Sequence, residues 1–202
     1  MRYLNKIVFI NSAAIRYSEV QLDGNIHLIG TQGVGKSTIL RAILFFYNAD
    51  TQRLGIPVEK KSYQDYYFPY ADSSIIYEVA REDGWFTVLS YKTMNRICYR
   101  FIASPYRPDL FIDEEGAPYP SDRIRSVLDK NGIKYSGAIS TYEEYRNILY
   151  GNSDNKRDYS CYSLMESGSY QNIIRTIQNV LLNSRLEADY IKQTIITSLN
   201  EA

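Results

Sequence analysis

Apolar residues near the N-terminus fall in short runs that are typical of β-strands. The segment KIVFINSAAIRYSEVQL predicts two short strands, Ile7–Ile10 and Ala14–Val20, on either side of a polar bend. Asp23-Gly24-Asn25 is typical of a turn. The following IHLIG predicts a short buried strand that ends at Gly30.

The next segments predict a helix and then three strands. Helical spacing is shown by Ile39, Leu40, Ile43 and Phe46/Tyr47. Residues 48–70 are instead predicted to form a long irregular segment. A strand-rich meander follows, with a hairpin signal at Asp83-Gly84. Its predicted strands are Ser74–Ala80, Trp85–Tyr91 and Ile97–Ile102.

The second half of the chain predicts helices. In PSDRIRSVLDKNG, Ser121 is the expected cap and Asn131-Gly132 the expected end. STYEEYRNILYG has capping-box spacing at Ser140-x-x-Glu143 and ends at Gly151.

From Ser169 the helical pattern runs almost to the last residue without a Gly or Pro terminator. We therefore expect a compact lobe over 1–165, a helical segment over 166–202 that leads out of it, and a longer parent protein.

Composition narrows the function classes. The formal net charge of zero gives no global attraction to nucleic acid or to an anionic membrane. The two cysteines, Cys98 and Cys161, lack CxxC spacing, which argues against a disulfide framework or a thiolate zinc site. The only histidine, His27, fits a packed strand residue. No apolar run is long enough to span a bilayer, so a reducing, cytoplasmic location is expected.

Tyrosine is frequent, with 20 residues. Its flat apolar ring and polar tip suit half-buried strands and interfaces. Plain strand composition is the favoured explanation, and an exposed sheet or partner surface is the alternative.

The stretch GTQGVGKS over 30–37 matches the phosphate-loop pattern G-x-x-x-x-G-K-[ST], between a predicted strand and a predicted helix. Glycines let successive backbone N–H groups point at phosphate oxygens, and the helix N-terminus favours the same anion. Lys36 can reach the β- and γ-phosphates, Ser37 can coordinate Mg²⁺, and Thr38 is placed beside the α-phosphate. The expected nucleotide-binding residues are Gly30, Gln32, Gly33, Val34, Gly35, Lys36, Ser37 and Thr38.

Hydrolysis would also need a carboxylate on the metal and a group that positions water. Asp113 and Glu114 in LFIDEEG are candidates because an apolar run precedes them. Gly116 and Pro118 follow at once, so the favoured interpretation is a solvated hairpin tip. No LSGGQ-like signature is present. The catalytic residues therefore stay unassigned.

This layout resembles the N-terminal lobe of the SMC-like ATPase head, a group of chromosome-maintenance, DNA-repair and defence ATPases within the ABC superclass. The resemblance rests on IHLIGTQGVGKSTILRAI and is specific in sequence only around 26–43, where Gln32 replaces the usual Asn. It implies an α/β P-loop fold, with a mixed or antiparallel sheet packed on the P-loop helix and a helical C-terminal extension. The segment YRFIASPYRPDLFIDEEGAPYPSDRIRSVLDKNGIKYS also looks like the strand, hairpin and small helix before the family's glutamine loop.

The resemblance implies that ATP and Mg²⁺ are sandwiched between two heads. It also implies that the signature motif and the Asp-Glu pair lie in a C-terminal lobe of the same protein. DNA is an implied partner, and a membrane is not. Gln64 comes early for the metal-sensing glutamine, and SGAISTYEEY contains no glutamine.

Other readings remain open. A self-contained nucleotide kinase or GTPase is one, since Asn155–Asp158 fits the base-reading pattern N-K-x-D, although no apolar strand precedes it. A scaffold that binds nucleotide without catalysis is another. Lys60-Lys61, Arg123 and Arg125 are candidate DNA contacts, but solvated surface charge is the favoured explanation.

Overall fold

The computed structural model describes residues 2–22, 35–48, 62–151 and 159–164. These residues form an α/β fold with one five-stranded sheet. The strands are β1 Tyr3–Ser12, β2 Ile15–Gln21, β3 Ser74–Arg81, β4 Gly84–Thr93 and β5 Arg96–Ile102. The helices are α1 Lys36–Asn48, α2 Tyr63–Tyr67, α3 Ser121–Lys130 and α4 Tyr142–Leu149, with short 3₁₀ turns at Pro108–Leu110 and Ser160–Tyr162.

The sheet has the strand order β2-β1-β3-β4-β5, and all four pairings are antiparallel. The strands predicted at Ile7–Ile10, Ala14–Val20, Ser74–Ala80, Trp85–Tyr91 and Ile97–Ile102 are confirmed. Their bounds differ from the prediction by up to four residues, and β2 begins one residue later than predicted. Two of the hairpins use tight turns whose central residues have positive φ, Ala13-Ala14 and Met94-Asn95. Such turns follow the right-handed twist of the strands they join.

One face of the sheet carries the larger core, to which α1 contributes most. Ile7, Phe9 and Val20 of the N-terminal hairpin meet α1 there, and the aromatic residues of β5 meet α4. Because the apolar residues of α1 surround most of the helix, the helix lies deeply buried rather than on the surface.

Tyrosine hydroxyls contact carbonyl oxygens along one side of α1. Tyr67 donates to Thr38 at 2.7 Å, Tyr77 donates to Ala42 at 2.8 Å, and Tyr145 donates to Phe46. The three acceptors are spaced by four residues, so they share one face of the helix. We call these three donors the tyrosine row. Tyrosine therefore does more here than supply strand composition, because it ties α2, β3 and α4 to a single helix.

The opposite face of the sheet carries a second, smaller core. Val8, Ile76 and Leu89 of the strands pack against Ile124 and Leu128 of α3. The loop after β5 completes this core with Tyr106, Leu110 and Phe111, and a buried carboxylate fixes the loop, since Glu78 accepts from the backbone N–H of Tyr106 at 2.6 Å.

Helices α3 and α4 were both predicted, but their N-terminal caps differ from the predicted ones. Helix α3 begins at Ser121 itself, with Pro120 at the cap position, and it has no side-chain cap because the proline ring carries no hydrogen-bond acceptor. Helix α4 is capped by Thr141, which accepts from the backbone N–H of Glu144, so the predicted pair is wrong by one residue. The predicted ends at Asn131-Gly132 and Gly151 are confirmed.

The expectation of an irregular excursion over 48–70 is wrong for its last third. Ser62 caps the short helix α2, accepting from the N–H of Asp65, and Tyr63 and Tyr67 bury their rings. Residues 49–61 lie outside the described part of the chain.

The segment 159–164 is held against the sheet by two arginines. Arg81 donates to the carbonyl oxygens of Ser160 at 2.7 Å and Ser163 at 3.1 Å. Arg2 donates to the same Ser163 oxygen at 3.0 Å and pairs with Glu82, whose pKa it lowers to about 2. These hydrogen bonds therefore fix the position of the segment that ends at Leu164.

Several expectations fall on residues outside the described ranges: the strand IHLIG, most of the phosphate loop, the N-K-x-D tetrapeptide at 155–158 and the helical segment after Ser169. Among the helices that the structure does describe, none combines the length and apolar character required to cross a bilayer.

Candidate nucleotide-binding site

The described part of the phosphate loop is its end, where the chain enters α1. Gly35 is exposed, and its carbonyl accepts the first helical hydrogen bond, from the N–H of Ile39 at 3.2 Å. Lys36 and Ser37 are the first two helical residues, and Ser37 is half-buried. The N–H groups of a first helical turn have no partner within the helix, so they can donate to an anion. Gly30, Gln32, Gly33 and Val34 lie outside the described residues.

Thr38, the third helical residue, is bracketed by two consecutive tyrosines of α2. Its side chain is 8% exposed, and its Oγ1 lies 3.0 Å from the hydroxyl oxygen of Tyr66. Its carbonyl oxygen accepts from the hydroxyl of Tyr67 at 2.7 Å. Both the side chain and the backbone of Thr38 are therefore fixed by α2.

The Tyr67 hydroxyl is a neutral donor over a wide pH range. Burial raises the pKa of Tyr67 above its usual value, the neighbouring Tyr66 adds to that effect, and the positive charge of Arg41 opposes it. The rings of Tyr66 and Tyr67 meet edge to face, with centroids 4.8 Å apart. Helix α2 thus presents two hydroxyls at once to the start of α1.

The turn between β1 and β2 is attached to the same short helix. The N–H of Ala13 donates to the carbonyl oxygen of Tyr66 at 3.2 Å, and Ser73 donates to the carbonyl oxygen of Asn11. Asn11, Ala13 and Ala14 all have positive φ, a conformation that costs energy in residues other than glycine. This turn, α2 and the start of α1 therefore form one connected unit.

An open cleft of about 760 Å³ lies beside this turn. Its lining includes the cation Arg16, the anion Asp72 and the aromatic ring of Tyr70. Tyr70 is 63% exposed. The lining residues are Asn11, Ala14, Ile15, Arg16, Tyr70, Ala71 and Asp72. The unit thus has a concave surface with both apolar and charged walls.

Asp113 and Glu114 are in the hairpin tip that the sequence favours. The backbone N–H of Asp113 donates to the carbonyl oxygen of Ala117, and Gly116 takes a positive φ of 84°. The Asp113 side chain accepts from the N–H groups of Glu115 and Ala117, both at 2.9 Å. Phe111 beside this turn belongs to the second core, whereas α1 belongs to the first. The sheet therefore separates these carboxylates from the start of α1.

Gln64 is half-buried in α2, two residues before Tyr66. Its backbone oxygen accepts from the N–H of Phe68 at 2.8 Å. The structure thus brings this glutamine into the helix that holds Thr38, although no contact assigns it a metal-sensing role.

The described residues fit an ATP–Mg²⁺ site in part. The half-buried Ser37 hydroxyl, at the open start of a buried helix, suits a metal whose other ligands come from phosphates and water. Within the ranges that the structure covers, no group of three or more His, Cys, Asp or Glu side chains forms a metal cluster of its own.

Two of the cationic candidates for DNA contact lie within the described residues. Arg123 and Arg125 are exposed on α3, and Arg123 lies over the ring of Tyr119. The surrounding segment 107–134 contains five basic and six acidic residues. Lys60-Lys61 lies outside the described residues. The favoured explanation, solvated surface charge, fits this balance.

Sequence reasoning missed Tyr66 and Tyr67, the residues that hold Thr38. A signal was present in SYQDYYF, because Ser62-x-x-Asp65 has the spacing of an N-terminal cap. The five-residue helix it starts is too short to show a convincing apolar period.

Comparison with known protein families gives a match over most of the chain. The model of a family described as a protein of unknown function, DUF3584, matches residues 11–202. No curated protein shows significant similarity to the chain.

Proposed function

Because this chain belongs to the DUF3584 family, whose function is unknown, we propose from its own residues that it is the ATP-binding N-terminal lobe of an SMC-like ATPase. The family is found in large SMC-like and RecF-like proteins, which agrees with that placement. The observation that carries the proposal is the match of 30–37 to the phosphate-loop pattern, whose last residues begin the buried helix α1.

The chain would bind the nucleotide with its backbone and three side chains. Loop N–H groups over Gly30–Gly35 and the open first turn of α1 donate to the phosphates. Lys36 adds a positive charge to the β- and γ-phosphates, Ser37 holds Mg²⁺, and Thr38 lies beside the α-phosphate. The metal, when bound, neutralises charge that develops on the phosphates.

Hydrolysis would require groups from elsewhere. The Asp113 carboxylate is engaged in its own turn, on the far side of the sheet from α1. We therefore assign the catalytic carboxylate and the signature motif to a C-terminal lobe of the same protein and to a second head in a dimer. Action on DNA, in chromosome maintenance, repair or defence, and a cytoplasmic location complete the proposal on the strength of the resemblance.

Calorimetric titration of the 202-residue chain with ATP and with GTP, each with and without Mg²⁺, tests nucleotide binding. We expect ATP to bind in a Mg²⁺-dependent way, and Lys36→Ala to weaken binding by about tenfold or more, since charged hydrogen bonds contribute about 1.5–3 kcal/mol. Ser37→Ala should remove most of the Mg²⁺ dependence. Lys130→Ala, an exposed lysine at the end of α3, is the matched control and should bind like wild type.

Three outcomes would contradict the proposal in different ways. Tighter binding of GTP than of ATP would favour the GTPase alternative. Turnover of ATP by this chain alone would remove the need for a second lobe. Absence of binding, or a Lys36→Ala variant that binds as wild type does, would exclude the site itself.

A further inference from the structure

The hydroxyl of Thr38 is set by a neighbour that the phosphate-loop pattern does not include. Thr38 Oγ1 and the Tyr66 hydroxyl oxygen are 3.0 Å apart, and the Thr38 side chain is buried at the first turn of α1. Tyr66 is half-buried, and no phosphate-loop pattern specifies a tyrosine 28 residues after this threonine.

We propose that Tyr66 is a positioning residue of the nucleotide site, whose hydroxyl orients Thr38 as a hydrogen-bond donor to a phosphate. This inference rests on the proposed function. It adds a residue to that site and links the site to α2.

The number of protons and lone pairs on each hydroxyl determines which of Tyr66 and Thr38 donates to the other. A hydroxyl has one proton and two acceptor lone pairs, whereas phosphate oxygens only accept. If the bond between the two hydroxyls persists while Thr38 gives its proton to a phosphate, Tyr66 must be the donor in that bond. In that arrangement the two hydroxyls polarise each other, which strengthens the outer bond.

The same contact restricts the position of the threonine oxygen. Thr38 Oγ1 is held 3.0 Å from the Tyr66 hydroxyl oxygen before any nucleotide binds. A Thr hydroxyl in a helix can also donate to a carbonyl oxygen three or four residues earlier, and a phosphate would take the place of that acceptor.

Tyr66 is itself held in place from two sides. Its N–H donates to the carbonyl oxygen of Ser62 at 2.9 Å, and its own carbonyl accepts from Ala13 in the β1–β2 turn. These bonds fix the backbone of Tyr66, and the edge-to-face contact of its ring with Tyr67 restricts the position of the side chain before any ligand binds.

Binding of Mg²⁺-ATP and Mg²⁺-ADP to Tyr66→Phe, Thr38→Val, Thr38→Ser and the Tyr66→Phe/Thr38→Val pair tests the inference. Tyr66→Phe should weaken both nucleotides about three- to tenfold, because the α-phosphate is common to them and one net hydrogen bond is lost. In the Thr38→Val background, Tyr66→Phe should have no further effect. Thr38→Ser keeps the hydroxyl and should keep both the affinity and the sensitivity to Tyr66→Phe.

Tyr77→Phe is the control for a purely structural effect. Tyr77 also donates its hydroxyl to α1, but to Ala42 in the second turn. We expect this variant to lower the melting temperature and to leave both dissociation constants within about twofold of wild type.

A Tyr66→Phe variant with wild-type affinity, or one whose effect simply adds to that of Thr38→Val, overturns the role of Tyr66 and leaves the proposed function intact. A wild-type chain that binds neither nucleotide overturns the proposed function, and the role of Tyr66 with it.

Discussion

The hydroxyl of Tyr77 on β3 donates to the carbonyl oxygen of Ala42 in α1 at 2.8 Å, in the middle of the larger core. A helical carbonyl already accepts from the N–H four residues later, so this bond uses its second lone pair. With Tyr67 and Tyr145, it forms the tyrosine row, which fixes the axial position of α1 against the sheet. The helix that begins at the phosphate loop is thus held by directional bonds as well as by apolar contact.

Removing one hydroxyl of the row should destabilise the fold. Tyr77→Phe deletes a buried hydrogen bond and should lower the free energy of unfolding by about 0.5–1.5 kcal/mol. Tyr99→Phe is the matched control, because Tyr99 is equally buried and its hydroxyl has no partner among the described residues. That change should be neutral or stabilising. Urea unfolding of both variants checks this, and equal losses would show that the row carries no specific energy.

High pH should destabilise the protein through its buried tyrosines. Burial raises the pKa of Tyr67, Tyr77, Tyr99 and Tyr145 above the ordinary value of about 10, because it disfavours the charged phenolate. The unfolded chain releases these protons first. The stabilisation is therefore complete below about pH 10 and is lost as the pH rises above that value.

Tyrosinate absorbance and circular dichroism in one alkaline titration measure this. The four buried tyrosines should ionise only together with the loss of structure. Gradual ionisation of all tyrosines while the fold persists would contradict the expectation.

Much of the fold was accessible from the sequence because strand and helix periods are strong local signals. The strands around Ile7, Ile75 and Val88 are short and mostly apolar, and their alternate residues fill the two cores. The cap of α4 was wrong by one residue because Ser140 and Thr141 are both competent caps, and only backbone geometry distinguishes them.

The candidate site was accessible in part. The residue spacing of GTQGVGKS is enough to predict a phosphate loop. No sequence pattern around Thr38 or Tyr66 predicts that the two residues are in contact. That contact depends on how α2 returns to α1 after residues 49–61, which is a property of tertiary packing and not of propensity. Likewise, the positions of the tyrosines in the sequence do not predict that tyrosines from α2, β3 and α4 all contact helix α1.

The segment 159–164 should depend on Arg81. Arg81→Ala removes the donor to the Ser160 and Ser163 carbonyls and should destabilise the fold by about 1.5–3 kcal/mol, since the Arg81 side chain is only 7% exposed. Hydrogen exchange within 159–164 should increase more than exchange in β4. Arg125→Ala, an exposed arginine on α3, is the control. Unchanged protection of this segment in Arg81→Ala would show that the arginine contacts do not fix it.

A glycine in the turn between β1 and β2 should stabilise the fold. Ala14 is exposed and has a φ of 61°, where an L-residue is strained and glycine is not. Ala14→Gly should therefore raise the free energy of unfolding by about 0.5–1 kcal/mol. Ala103→Gly, at an exposed position without positive φ, should lower it by a similar amount. Thermal unfolding separates the two, and a loss of stability in both variants would mean that the Ala14 conformation is not strained.

Asp113 should prove to be a turn residue and not a ligand of the nucleotide or its metal. Asp113→Ala removes the acceptor for the Glu115 and Ala117 N–H groups and should cost about 1 kcal/mol. Asp113→Asn keeps an acceptor oxygen and should unfold like wild type. Because this turn lies across the sheet from α1, both variants, and Glu114→Gln beside them, should bind Mg²⁺-ATP as tightly as wild type. Weaker Mg²⁺-ATP binding by Asp113→Asn at unchanged stability would instead return this carboxylate to the active site.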